Sequence, residues 1–279
     1  MPEIRPARHD DVLSIARWTT DTFEWGDYVP ERLPTWIEDE ESEAMVCVDD
    51  GDVPIALAHV AMLSPTEGWL EGARVHPDHR RRGLGRSLND AGVIWAAERG
   101  ARVVRLSIET DNGAARSQVE ALGYRAVSEW VYAEYEVSAT HRTRDAYRLR
   151  LAPSSDAEAA WLSWMAGDLA RVGRELIAVG WQWRTARIDD VAGGTGELYQ
   201  SPAGWVSATQ PDPEWMSTIW VSTTPEDLLM LIDGLLDLAA EREARELNLK
   251  LPAVGWTTEA VTRTGGNPLG IVVYAKPVP

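Results

Sequence analysis

The sequence predicts a mixed α/β fold, an α+β mixed sheet, built as two tandem domains. Three observations carry that expectation. The chain has 279 residues, well above one average domain of ~100–150 residues. In the first half, period-two apolar segments and segments with helical spacing alternate in the order βααβββαβαββ. The second half closes on the same succession of strand, turn, helix, strand, helix and strand. A mixed sheet with helices on both faces follows, with a first domain over residues 1–151 and a second over residues 152–279.

The first strand is Glu3–Pro6. His9-Asp10-Asp11 opens a helix that runs through Trp18 with Ile15 inward, and Asp10 or Asp11 is placed to cap it. Tyr28-Val29-Pro30-Glu31 starts a second helical piece ending near Ile37. Strands at Ala44–Val48 and Val53–Met62 are joined by the turn Asp49-Asp50-Gly51-Asp52. A strand at Trp69–Val75 is broken by His76-Pro77-Asp78. Leu84, Leu88, Ala91, Ile94, Trp95 and Ala97 then recur at helical spacing. A strand at Val103–Ile108, a short helix at Gly113–Leu122 and strands at Ala126–Glu136 and Ala146–Leu151 complete the domain.

Leu151-Ala152-Pro153-Ser154-Ser155 reads as a linker and helix cap. Asp156 to Gly180 reads as helix, in one or two pieces. Strand patterns follow at Trp183–Ile188, Glu197–Gln200, Trp205–Ser207 and Ser217–Val221. A long helix is expected from Pro225 to about Arg245, with Pro225 in its first turn. Strands at Leu247–Leu251 and Ile271–Ala275 flank a short helix near Thr257–Thr264.

Composition narrows the function classes. Forty-four acidic against 27 basic residues give a net charge of −17, a field that repels nucleic acid and anionic membranes and attracts small cations. The same acidity also serves solubility alone. No apolar run of ~18 residues predicts a membrane span, and no basic-then-apolar start predicts a signal peptide. The cytoplasm is the expected compartment. The single cysteine, Cys47, excludes an internal disulfide and reads as a small buried hydrophobe. No histidine pair has metal-ligand spacing, so no metal is expected.

The informative stretch is Arg80-Arg81-Arg82-Gly83-Leu84-Gly85, set between a strand and a long helix. The free N–H groups and the dipole of a helix N-terminus favour an anion. Gly83 and Gly85 permit unusual backbone angles and close main-chain approach to phosphate. Arg80, Arg81, Arg82 and Arg86 add paired donors for phosphate oxygens. The string lacks the Gly-Lys-Ser/Thr of a P-loop and the third glycine of a dinucleotide fingerprint, where Leu88 stands. The plain alternative is a turn followed by a solvated arginine face.

On these residues the segment resembles the acyl-CoA site of the GCN5-related N-acetyltransferase (GNAT) superfamily. The family pattern Gln/Arg-x-x-Gly-x-Gly/Ala is met by Arg80, Gly83 and Gly85, after Val75-His76-Pro77. Asn112, Ala115 and Gly123-Tyr124 match its second half-motif. The resemblance covers roughly residues 3 to 151. It implies the GNAT fold, acetyl-CoA as co-substrate, and a splayed pair of central strands. It implies contacts to the cofactor from Ala73, Val75, Arg80, Arg81, Arg82, Gly83, Leu84, Gly85, Arg86, Asn112 and Ala115. An N-cap for the short helix is the other role open to Asn112, and the two are compatible.

Acetyl transfer to an amine needs a base, because only about one lysine-like amine in a thousand is unprotonated at neutral pH. It also needs a donor for the carbonyl oxygen and an acid for the thiolate. Glu71 is the candidate base or anchor of the substrate ammonium, placed by alternation on one face with Ala73 and Val75. Leu70-Glu71-Gly72 resembles the Glu-Gly element of aminoglycoside 6′-N-acetyltransferases, whose acid faces the substrate. An exposed strand glutamate is the plain alternative. Glu109, Asp111 and the Glu38–Glu43 run stand second. The family's acid tyrosine, seven residues after the motif asparagine, is Val119 here. Tyr124 is the candidate catalytic replacement, with Tyr28, Ser117 or water also open.

Fourteen tryptophans stand against one phenylalanine. Tyr28, Trp36 and Trp69, with Trp25, are placed near the expected substrate mouth, where core packing is the other role open to the indoles. In the second half Ser222-Thr223-Thr224-Pro225-Glu226-Asp227 stands where the cradle belongs, without glycine or arginine. A tandem form with an intact N-terminal and a degenerate C-terminal GNAT-like domain is expected, as a monomer (internal pseudo-dimer) or a homodimer. The function implied is transfer from acetyl-CoA to the amine of an aminoglycoside-like sugar or an amino acid. A non-catalytic acyl-CoA sensor and a peptide N-acetyltransferase are the alternatives.

Overall fold

The computed structural model describes residues 3–20, 22, 26–190 and 195–278. Trp25, one of the residues expected near the mouth, lies outside the described residues. The chain forms two compact units, and it passes between them more than once. The first holds Met1–Leu106, Val119–Tyr124 and Ala275–Pro279, and the second holds Ser107–Gln118 and Arg125–Tyr274.

The first unit begins with β1 (Glu3–Pro6), α1 (Asp11–Thr19) and α2 (Val29–Glu38). Neither Asp10 nor Asp11 caps α1 through its side chain as expected. The Asp11 carboxylate is instead buried against Arg5, 2.7 Å away, and accepts the Arg8 backbone N–H. A carboxylate pinned by a guanidinium is no longer available as a free cap. In α2, Val29, Leu33 and Trp36 form a buried stripe at i, i+4, i+7 spacing. They pack with Ile15 of α1 against β2 (Ser42–Val48) and β3 (Pro54–Ser64).

Next come β4 (Glu67–Val75), α3 (Leu84–Glu98) and β5 (Val103–Glu109). Strands β1 to β5 lie in that order, antiparallel up to β4 and parallel between β4 and β5. The helix packs very close to β4: a Cβ on Gly68 would stand 3.0 Å from Ala96, and one on Gly92 3.3 Å from Leu70. The β4–β5 ladder covers only Glu67–Trp69 against Val103–Arg105. Beyond it β4 runs on to Val75, paired with β3 alone of these two neighbours.

A short helix, α4 (Gly113–Ala121), precedes β6 (Arg125–Glu136). Where a strand over Ala146–Leu151 was expected, Asp145–Tyr147 is a 3-10 turn and only β7 (Arg150–Leu151) is extended. Helices α5 (Ala157–Ala166) and α6 (Asp168–Val172) follow. The helix expected up to Gly180 stops there, because Leu176–Val179 forms β8, paired as a hairpin with β9 (Gln182–Thr185). Leu-Ile-Ala-Val is a short apolar run that periodicity alone does not assign.

The remaining elements are β10 (Glu197–Ser201), β11 (Gly204–Asp212), β12 (Trp215–Ser222), α7 (Leu228–Glu241), β13 (Glu246–Pro252), α8 (Gly255–Arg263) and β14 (Leu269–Pro277). Pro225 sits in the turn before α7 rather than inside its first turn. In the second unit the order is β14-β6-β13-β12-β11-β10-β7. The run β7-β10-β11-β12-β13 repeats the pattern of β1 to β5, antiparallel until a final parallel pair. The crossover helix also repeats, α3 in one run and α7 in the other. Leu228, Leu231, Ile232, Leu235 and Leu238 of α7 bury against Leu247, Leu249 and Leu251 of β13.

Candidate active site

The cradle grows out of the end of β4. Gly83 is the residue before α3 and has φ +82°, the left-handed region, with no side-chain cap. Open space surrounds the position of a Cβ at Gly83. Glycine is therefore required there by backbone angle rather than by crowding. Arg81 is left-handed too, at φ +62°, which is uncommon for a residue with a Cβ. The first-turn N–H groups of α3 have no helical acceptor. Among the described residues no carboxylate forms an ion pair with Arg81, Arg82 or Arg86, all exposed. Arg80 turns back, its Nε 3.4 Å from the Val75 carbonyl. Leu84 is buried, so only its main chain is available to a ligand.

Glu71 sits at a break in strand regularity. The register pairs His59 with Glu71 and then Leu57 with Arg74, so Gly72 and Ala73 together oppose Ala58. This is a β-bulge, and Gly72 has φ +67°. A glycine in that conformation opening a bulge is a known way to re-aim a side chain beside a site. The bulge corrects the expected grouping of faces. Glu71 shares a face with Arg74, not with Ala73 and Val75, because one extra residue shifts the alternation.

The Glu71 face carries a layered set of side chains. His59 Nδ1 lies 3.1 Å from Glu71 Oε1. The His59 ring, 2% exposed, stacks on Trp36 with centroids 4.3 Å apart and planes 7° apart. Tyr28 meets Trp36 edge-on at 6.2 Å and lies 5.3 Å from the Arg74 guanidinium. Arg74 grips Asp27 through Nε at 2.7 Å and Nη2 at 3.2 Å. Burial pushes the Asp27 carboxyl up, but hydrogen bonds from Arg74 and the Val29 N–H outweigh it and hold it below its usual range. Burial, foremost, raises the Tyr28 phenol. Arg74 is thus engaged by Asp27, and Glu71 lies beside it on the same face.

Of the expected substrate-mouth residues, Tyr28 and Trp36 come together here. Trp69, 1% exposed, is part of the interior. Tyr124 is buried, and its hydroxyl donates to Asn89 Oδ1 on α3 at 2.9 Å. Burial, reinforced by Asp90, raises its pKa, so the phenol keeps its proton. Asn112 caps α4, its Oδ1 accepting the Ala115 N–H at 3.1 Å. Asn112 and Ala115 fall in the second compact unit, and the cradle in the first. His59, Asp27 and Arg74 were not singled out by sequence. Gly72 was the available signal for the bulge that brings Arg74 beside Glu71.

The family profile described as acetyltransferase (GNAT) family matches residues 12–124. Residues 12–124 are a GNAT acetyltransferase domain. The family whose profile matches this segment uses an acyl-CoA co-substrate and an acceptor. Solved structures of low identity share its fold. A GCN5-related N-acetyltransferase from Sphaerobacter thermophilus is 18% identical with a TM-score of 0.69, covering 99% of this chain and 95% of that one. A tandem GNAT protein from the clavulanic acid biosynthesis pathway is 16% identical with a TM-score of 0.58, covering 100% and 99%. A GCN5-related N-acetyltransferase from Kribbella flavida is 12% identical with a TM-score of 0.52, covering 100% and 72%. No curated protein matches the chain. No helix among the described residues is long and apolar enough to cross a membrane.

Proposed function

We propose that the protein transfers an acetyl group from acetyl-CoA to a primary amine of a small molecule by direct attack in a ternary complex. The acceptor class is an aminoglycoside-like sugar amine or an amino acid. Residues 1–151 are the acetyl-CoA domain in this reading, and residues 152–279 a degenerate copy that supports it. The observation that carries the reading is the cradle: a left-handed Gly83 before α3, with three exposed arginines that have no acidic partner among the described residues, directly after the strand that bears Glu71.

A pyrophosphate fits those residues by charge and by main-chain access. Gly83, Leu84, Gly85 and Arg86 would present N–H groups to it, and Arg80, Arg81 and Arg82 their side chains. The main chain at Ala73 and Val75, past the end of the β4–β5 ladder, would face the pantetheine arm. Asn112 and Ala115 remain assigned to the cofactor by the family pattern. The thioester, when bound, supplies an electrophilic carbonyl and a thiolate leaving group.

Glu71 accepts a proton from the acceptor ammonium, directly or through water. The freed nitrogen forms the amide bond, and the carbon–sulfur bond breaks. His59 fixes the Glu71 carboxylate from below, itself clamped by Trp36. Tyr28 and Trp36 shape an aromatic wall for the acceptor, with Trp69 beneath it in the core. With Tyr124 buried and its hydroxyl donating to Asn89 Oδ1, the departing thiolate takes its proton from water, another source the sequence leaves open.

The test is CoA release from acetyl-CoA by the full chain, with aminoglycosides, polyamines, amino acids and short peptides, each against a blank without acceptor. Release with sugar amines or amino acids supports the reading, and Glu71→Gln is expected to cut kcat ~10²-fold or more. Release with peptides alone moves the acceptor class to polypeptide amines. Acetyl-CoA binding with no turnover on any acceptor favours a sensor, a reading for which Val119, in place of the family's tyrosine, is the specific observation.

A further inference from the structure

The second unit contains a buried ammonium without a counter-charge. Lys250, on β13, is 3% exposed. Its Nζ makes one hydrogen bond, to Ser217 Oγ of β12 at 2.8 Å. Among the described residues no carboxylate lies within ion-pair distance of it. An ammonium has three donors, and a buried charge left unpaired is costly. Burial alone lowers Nζ to about 8.

The surroundings are polar along the strand and aromatic above it. Register places Tyr132 of β6 opposite Lys250, and Glu134 opposite Asn248. By alternation Glu246, Asn248 and Lys250 share one face, the face away from the leucines that pack on α7. Along it the acids are engaged with other groups. Asn248 Nδ2 donates to Glu246 Oε1 at 2.6 Å, and Tyr132 lies within reach of both Asn248 and Glu134. The stripe runs from exposed Glu134 to buried Lys250. The Tyr132 and Trp181 rings lie 5.5 and 5.7 Å from Nζ. Trp181 stands in the two-residue turn of the β8–β9 hairpin, after Gly180 at φ +59°, and is 45% exposed. One of the two rings near Nζ therefore belongs to a tip residue outside the ladder, packed on Tyr132 at 4.7 Å.

The geometry points to a binding site for the carboxylate of a small organic anion, formed by Lys250 Nζ and Ser217 Oγ and covered by Trp181. One ammonium and one hydroxyl balance a single negative charge. Among the described residues neither an arginine nor a helix N-terminus contributes to these contacts, unlike the sites that phosphate groups exploit. Tyr132, Trp181 and Trp183 offer an aromatic wall to an apolar tail. The site is independent of the acetyl-transfer reading, since every residue in it belongs to the second unit.

The test titrates the full chain with sodium acetate, butyrate and phenylacetate, each against sodium chloride at matched ionic strength, with inorganic phosphate as a separate arm. Tryptophan fluorescence and the thermal midpoint are read together. A saturable response to at least one carboxylate, absent with chloride and weakened at least tenfold in Lys250→Met, is the expected result. Ser217→Ala is expected to weaken the response several-fold, and it decides the matter if Lys250→Met does not fold. No saturable response to any of the three carboxylates overturns the proposal. An undiminished response in the variants, or a response to phosphate alone, does the same.

Discussion

A carboxylate serves as a base when it is fixed in place beside the acceptor. Glu71 is held by His59 at 3.1 Å, and Arg74, on the same face, is bonded to Asp27. His59 is thus a positioning residue, acting through Glu71. His59→Leu is expected to lower kcat ~10–100-fold, leave the KM for acetyl-CoA unchanged, and be partly rescued in His59→Asn, which keeps a donor. Equal kcat in all three proteins would remove His59 from the reading. Lys250 gives a second prediction at this scale. Its pKa is about 8 when folded against ~10.4 in an unfolded chain. Below pH 8 both states hold the proton and the burial penalty is in force. Between about 8 and 10.4 the unfolded chain binds more protons, so stability rises with pH, by up to ~3 kcal/mol at ~1.4 kcal/mol per unit. Lys250→Met is expected to flatten that part of the curve and to be more stable than the parent at pH 7, as followed by urea unfolding at a series of pH values.

Most elements were legible because their apolar spacing is regular. Helix α3 buries Leu84, Leu88 and Trp95 as its spacing predicts, although Ile94 of the same set is exposed, and β1 spans Glu3–Pro6 as expected. The failures have identifiable causes. Leu176–Val179 is too short for periodicity to separate strand from helix, and its partner β9 is visible only in three dimensions. The bulge at Gly72 is also a tertiary fact: a glycine in a strand signals it, but which side chains it regroups depends on the β3 register. The cradle was readable because loop, glycines and arginines are contiguous, whereas His59 and Asp27 reach the site from distant segments. Gly72 is required twice, by φ +67° and by a Cβ that would meet the Trp36 ring at 2.8 Å. Gly72→Ala is expected to cost about 2–5 kcal/mol, from ~1–2 kcal/mol of left-handed strain and ~1–3 kcal/mol of overpacking. It should also displace Trp36 from His59, seen as lost activity in protein that remains folded at low temperature. A fully active and equally stable variant would mean the bulge does not set the Glu71 face.

Across the whole molecule the two runs of strands share a pattern but not a chemistry. Aligning the parallel pairs sets Trp215, Met216 and Ser217 on Glu67, Gly68 and Trp69, and two residues further on Ile219 occupies the place of Glu71. Ile219 is fully buried, so the second copy has an aliphatic side chain where the first has its acid. The connection into the crossover helix differs as well. Eight residues, 76–83, join β4 to α3, and five, 223–227, join β12 to α7. The shorter one ends in Glu226 and Asp227, with no glycine and no arginine. In a chain of net charge −17, a polyanionic cofactor is held only where local cations overcome the general repulsion, and the first loop alone supplies them. One acetyl-CoA per chain is therefore the expected stoichiometry by calorimetry, with affinity falling as salt rises because the contacts are charged. Gly83→Val forces a β-branched residue into a left-handed position at φ +82° and should abolish that single site. Thr224→Ala, in the second loop, should leave both the number of sites and the affinity unchanged. Two equivalent sites, or binding that survives Gly83→Val and fails in Thr224→Ala, would reverse the roles given to the two copies.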